Sequence, residues 1–163
     1  MTTLVSSIIP DWERERPRKF WDPSRKLLLS IRKYQAINKN SFSGKLISKY
    51  WVFIHRFWSV ITGAEIDLSC QIGGGLLIPH PNGIVIHAYA KIGVNCLIFQ
   101  QVTIGSHEDF KAPVIRGHVD IGAGAKILGI IEVGEHAKIG ANAVVVKNVE
   151  ALTTVVGIPA KVV

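Results

Sequence analysis

An aliphatic residue returns every six positions through the C-terminal two thirds of the chain. Ile66, Ile72 and Ile78 keep this spacing, as do Ile86, Ile92, Ile98 and Ile104; Ile115, Ile121, Ile127, Val133, Ile139 and Val145 continue it. Glycine follows many of these anchors, as in Ile72-Gly73, Ile92-Gly93, Ile121-Gly122 and Ile139-Gly140. An α-helix cannot use such a period. At about 100° per residue, six residues advance roughly 600°, which scatters the anchors round the axis. Simple alternating strands have no need of glycine at fixed offsets. A parallel β-helix does: each hexapeptide forms one short side of a triangular coil, its aliphatic points inward, and residues about 18 apart stack. A coil packed in this way has no interior cavity. Any ligand must bind outside it, where the count breaks or where subunits meet.

The count breaks twice. Ile78 and Ile86 are separated by eight positions instead of six, and the insertion holds Pro79-His80-Pro81-Asn82-Gly83. Proline fixes φ and removes a backbone donor, so this corner should be rigid and bulged, with His80 held at the surface. The second break, between Ile104 and Ile115, holds GSHEDFKAPV and should project as a polar loop.

The part before the repeat differs in composition. Residues 1–60 contain 12 Lys/Arg against 4 Asp/Glu, about +8, whereas the remaining 103 residues (7 Lys/Arg, 8 Asp/Glu) are close to neutral. Residues from about 24 to 62 read as two helices: SRKLLLSIRKYQAI, with Ser24 as a cap, and KLISKYWVFIHRFWSVIT, ended by Gly63, with NKNSFSG as the loop between them. The expected organisation is a basic helical region, 1–62, followed by a β-helix domain, 63–163. Lys49, His55 and Arg56 make the second helix too polar to span a bilayer. It reads either as a helix docked on the fold or as a membrane-surface helix with basic flanks over residues 45–58. The basic residues lie on presumed helices with no nucleic-acid-binding module, so no nucleic-acid partner is expected. Cys70 and Cys96 form no metal-ligand or CxxC spacing and read as reduced, buried and cytosolic.

From GAEID to the C-terminus the chain resembles the hexapeptide-repeat acetyltransferases, in particular their serine acetyltransferase branch. The resemblance is carried by GGGLLIPHPNGIVI, CLIFQQVTIG, VDIGAGAKILGIIEVGEHAKIGANAVVVKNV and VVGIPAKVV, together about 100 residues. It implies a left-handed parallel β-helix, a homotrimer and acetyl-CoA as donor; separately, the residue spacing leads to no expected metal. The spacing itself does not give the handedness, and general chirality rules favour right-handed crossovers. The resemblance places the general base at His80 and the carboxylate that orients it at Glu65, where serine acetyltransferases carry Asp. An alcohol attacking a thioester must lose its proton, and imidazole can take it near neutral pH. For acetyl-CoA the matching positions are Gly105, Gly122, Ala123 and Ala141, with Lys161 toward the nucleotide phosphates and Lys126 a weaker candidate. Lys111 and His107 in the second break are the candidate acceptor-binding residues.

Three departures from the serine acetyltransferase pattern bear on the acceptor. Pro79 stands where those enzymes carry an Asp that contacts the amino acid. Lys111-Ala112 stands where they carry an Arg-His pair. The N-terminal region is short and basic. This layout looks more like the O-acetyltransferases of exopolysaccharide and capsule synthesis, so a sugar hydroxyl is the first expected acceptor and L-serine the alternative. The expected location is the cytoplasm, or the inner face of the plasma membrane if 45–58 engages lipid. Two non-enzyme readings remain: a β-helix scaffold without catalysis, and a zinc site built on His118 and His136. These histidines should stack, but no third histidine joins their series.

Overall fold

The computed structural model describes residues 5–107 and 110–163. Its main body is a parallel β-solenoid of very short strands arranged as three faces. The first face stacks Glu65–Ile66, Val85–Ile86, Thr103–Gly105, Lys126–Leu128 and Val144–Val145. The second stacks Gln71–Ile72, Lys91–Ile92, Val114–Ile115 and Glu132–Val133. The third stacks Leu97–Ile98, Asp120–Ile121, Lys138–Ile139 and Thr154–Val156, with the bridge Leu77–Leu97 adding the first coil. Pairing is parallel throughout except for Lys161–Val162, which turns back antiparallel on Thr154–Val156 and closes the end.

Register follows the hexapeptide count. Ile66 pairs with Ile86, Ile86 with Ile104, Ile104 with Ile127 and Ile127 with Val145, so the first face is one continuous column of aliphatics. All thirteen anchors are buried. At about 1.5–3 kcal/mol per buried aliphatic side chain, this column is the main favourable term in the fold. A second interior position, two residues before each anchor, went unrecognised in the sequence. Ala64, Cys70, Leu76, Ile84, Ala90, Cys96, Val102, Val119, Ala125, Ala137 and Ala143 fill it, all buried. Both cysteines are therefore corner-filling residues. Both are free, and burial pushes their thiols up, to about 12 for Cys70 and about 11 for Cys96.

Two helices precede the coil: α1 (Pro23–Gln35) and α2 (Phe42–Thr62). Asp22, not Ser24, is the N-cap of α1, because Pro23 has the fixed φ and missing donor that suit the first helical position. α2 begins inside the expected loop. Ser41 caps it by accepting from Gly44 N at 3.0 Å, which draws Phe42–Gly44 into the helix. Gly63 ends α2 as expected, at φ +64 with its N–H on Ser59 O.

α1 docks on the solenoid through Leu27, Leu28 and Ile31 and through polar side chains that satisfy free backbone groups. Arg32 grips Glu15 with two bonds (3.0 and 3.1 Å) and donates to the carbonyls of Ile72 and Gly73. Gln35 donates to Leu68 O and Cys70 O. α2 packs on α1 along a narrow line. Buried Ser30 meets His55 Nδ1 at 3.1 Å, and burial lowers the His55 pKa. The rest of α2 faces outward, with Phe42, Leu46, Tyr50, Phe53, Phe57 and Val60 exposed beside Lys45, Lys49 and Arg56. Of the two expectations, the docked helix is observed along the side that packs on α1, and the other side of α2 is exposed. No helix among the described residues is long and apolar enough to cross a membrane.

Candidate active site

The corner between the third and first faces is a ladder of tight turns. Gln101 N donates to Asn82 O (2.9 Å), Gly124 N to Gln100 O (2.9 Å) and Asn142 N to Ala123 O (2.8 Å). Gly83, Gln101, Gly124 and Asn142 all take positive φ, from 56° to 73°, so each coil turns here in the same way. The two-residue insertion lies at the end of this ladder. Ile84 N donates to Pro81 O and Gly83 N to Gly63 O, which closes the turn against the end of α2 and leaves Pro79 and His80 exposed. The expected surface position of His80 is the observed one.

The candidate cofactor residues Gly122, Ala123 and Ala141 sit on the same ladder, two and three rungs from the turn of His80. At about 4.8 Å per rung that is roughly 10–14 Å. The corner is closely stacked. A Cβ on Gly122 would lie 2.6 Å from Ala141 N, so only glycine fits under the next coil. Lys161 is exposed on the terminal strand. Lys126 is committed: its Nζ donates to Gln101 O at 2.6 Å.

The other candidates lie elsewhere in the chain. Glu65 heads the first face, where its N–H donates to Ile84 O. Its side chain lines a cavity of about 780 Å³ with Gly105, Ser106, His55 and His87. Among the described residues no hydrogen bond or ion pair joins Glu65 to His80, although the Glu65 N–H to Ile84 O bond sets Glu65 beside the end of the His80 turn. His107 and Lys111 are exposed on the second break, at the corner between the first and second faces. Glu108 and Asp109 of that loop lie outside the described residues. At its base Phe110 packs edge-on against Tyr89 (5.2 Å between centroids), which lies beside His87. No sequence pattern announces this aromatic group, which joins separate coils.

His80 opens instead on a cavity of about 940 Å³ whose opposite wall is the segment before α1 and its first turn, including Arg18, Lys19, Trp21, Asp22 and Arg25. Sequence reading missed these residues because they belong to no repeat. The segment from Ser6 to Arg14 is tied down by Asn95, a buried residue at φ +58. Its Oδ1 accepts from Asp11 N (2.8 Å), and its Nδ2 donates to Ser6 O (2.7 Å) and Ile9 O (2.8 Å).

His118 and His136 do stack, with their Nδ1 atoms 2.8 Å apart, one donating to the other. Among the described residues no group of three or more His, Cys, Asp or Glu could hold a metal ion.

Fold and corner together define a hexapeptide-repeat β-solenoid with a surface histidine at the head of a ladder of small-residue turns. A scan against protein-family models finds no match. Among curated proteins the chain is 40% identical to the serine acetyltransferase of Helicobacter pylori, over 85% of this chain and 80% of that one. It is 42% identical to that of Synechococcus elongatus, over 64% of this chain and 44% of that one. Among solved structures it superimposes on a serine acetyltransferase in complex with CoA with a TM-score of 0.74 and 33% identity, over 88% of this chain and 58% of that one. The chain belongs to the serine acetyltransferase family. It spans less than two thirds of the length of the Synechococcus relative and of the protein in the CoA complex. The expected fold class, a parallel β-helix after a short helical region, is the observed one.

Proposed function

We propose that the chain is an acetyl-CoA-dependent O-acetyltransferase with His80 as general base and L-serine as its first acceptor. The observation that carries this reading is the shared corner: His80 and the Gly122-Ala123 and Ala141 turns lie on one ladder, within reach of an extended pantetheine arm. His80 takes the hydroxyl proton as the oxygen attacks the thioester carbonyl. The tetrahedral intermediate collapses, the C–S bond breaks, and the imidazolium returns the proton to the departing CoA thiolate. Neither cysteine competes as a nucleophile, since burial holds both thiols protonated. Gly122, Ala123 and Ala141 present backbone along this corner, Gly105 ends the adjoining first-face strand, and exposed Lys161 is the residue for the nucleotide phosphates.

Sequence reading put a surface-polysaccharide sugar first and serine second; the relatives reverse that order, since the curated proteins and solved structures it matches carry the serine acetyltransferase name. Specific observations keep the sugar as a second reading. Pro79 offers no carboxylate beside His80, and Lys111-Ala112 offers no paired guanidinium. The outward face of α2, aromatic with Lys45, Lys49 and Arg56, suits an anionic membrane surface on the cytoplasmic side, where a lipid-linked sugar would be met. In a homotrimer a neighbour would bring its Glu65 face or its second-break loop to the open side of His80.

The test is CoA thiol release from acetyl-CoA with L-serine or a panel of sugars as acceptor. His80→Ala should lower kcat by about 10²–10⁴-fold and leave the melting temperature unchanged, because His80 is exposed. Turnover by His80→Ala within threefold of wild type would refute the assignment.

A further inference from the structure

The cavity beside His80 is cationic, and its cations come from a segment outside the repeat. We propose that it selects acceptors carrying an anionic group, and that Arg18 and Lys19 hold that group. This rests on His80 being the base. Three cations and one carboxylate line the cavity. Asp22 is buried and committed: its Oδ2 accepts from Arg18 N at 3.1 Å and from the Arg25 guanidinium at 3.5 Å. Arg25 is committed as well, donating through Nε to Arg14 O at 3.0 Å. These two charges offset each other. Arg18 and Lys19 remain, both exposed, and neither side chain meets a carboxylate or other acceptor among the described residues. Their segment is held in place. The Asp22 bond to Arg18 N fixes the turn, and Trp21 packs edge-on against Trp58 of α2 at 5.6 Å.

The residue equipment elsewhere agrees. Lys111 stands at a different corner of the chain and has no guanidinium beside it. An acceptor carboxylate bound beside His80 in this cavity therefore meets two unengaged cations, Arg18 and Lys19, and a planar guanidinium can engage a carboxylate or phosphate with two parallel bonds. The shared chemistry is an alcohol bearing an anion: the carboxylate of L-serine, or the phosphates of a nucleotide sugar.

The double variant R18Q/K19Q tests this, since both residues are exposed and neither supports the core. With L-serine, its KM should rise at least tenfold, with kcat within threefold of wild type and the KM for acetyl-CoA unchanged. L-serinamide, which lacks the carboxylate, should be a poor acceptor for both proteins alike. An unchanged KM for L-serine overturns the proposal. If wild type does not acetylate L-serine at all, the serine reading fails separately. The anion reading is then judged on nucleotide sugars against neutral saccharides: preference for the former, lost in R18Q/K19Q, supports it, and equal use of both overturns it. Calorimetric titration with inorganic phosphate decides the matter without turnover. Saturable binding to wild type that is weakened tenfold in R18Q/K19Q supports the proposal, and identical titrations overturn it.

Discussion

Asn95→Gly should free the N-terminal segment without unfolding the solenoid. Asn95 occupies a left-handed turn position, φ +58, which glycine adopts without strain, so the backbone of the corner is preserved. Its own N–H bond to Gly74 O and its carbonyl's bond from Arg14 Nη1 are backbone features that survive. Only the amide's three bonds to Ser6, Ile9 and Asp11 disappear. At about 0.5–1.5 kcal/mol each, the docking of the segment should weaken by roughly 1.5–4.5 kcal/mol. With 1.4 kcal/mol per decade, the open population rises between about tenfold and a thousandfold. The Arg14 amide is the clean reporter, since its acceptor, Asp11 O, is untouched by the substitution. Its hydrogen exchange should accelerate by that factor, whereas amides inside the coil, such as those of Gly122 and Gly140, should exchange as in wild type. Because Arg18, Lys19 and Trp21 follow this segment, the KM for the acceptor should rise with little change in that for acetyl-CoA. Arg14 exchange within twofold of wild type would refute the claim that Asn95 is the clasp.

His55 sets a pH dependence. Burial lowers its folded-state pKa, so below the ordinary value near 6.5 the unfolded chain takes up a proton that the folded chain refuses. Stability should therefore be full above pH 6.5 and fall as the pH drops through it. His118, lowered chiefly by burial too, adds the same sign, and melting curves between pH 5 and 7.5 should flatten stepwise in His55→Gln and His118→Gln. Gly122→Ala forces a Cβ to 2.6 Å from Ala141 N and should cost about 1–3 kcal/mol by thermal denaturation, together with a higher KM for acetyl-CoA. Ile121→Ala, at a fully buried anchor, should cost about 2–5 kcal/mol. Cys70 and Cys96 should resist an aromatic disulfide reagent at pH 8 in the folded protein and both react on unfolding; fast labelling of either in the native state would contradict their burial.

The anchors were legible because one inward position per side imposes a strict period on a single residue class, and Ile66 through Val145 all obey it. The companion column was not. A corner interior accepts whatever small or medium group fits, so Ala90, Cys96 and Val102 succeed one another with no shared signature. Cys70 and Cys96, read from the sequence as reduced and buried, are filling of this kind. His80 was legible because it interrupts the period, and an interruption needs a reason. Asn95, His118 and His136 show the converse: each sits at a left-handed turn of the corner between the second and third faces, so their common feature is a backbone conformation before it is any reactivity. The segment before α1 was illegible for a further reason. It docks through backbone carbonyls, Ser6 O and Ile9 O on Asn95, which leave no residue pattern. A closed coil can vary its outward corners only within narrow limits, because a changed corner must still stack on the next. The non-repeating arm carries no such constraint. It follows that acceptor preference in a chain of this kind can shift through residues such as Arg18 and Lys19 while the repeat, the base and the cofactor groove stay unchanged. Exchanging residues 5–22 between two such chains of different acceptor preference should therefore move the KM for acceptor with the arm and leave the KM for acetyl-CoA with the coil.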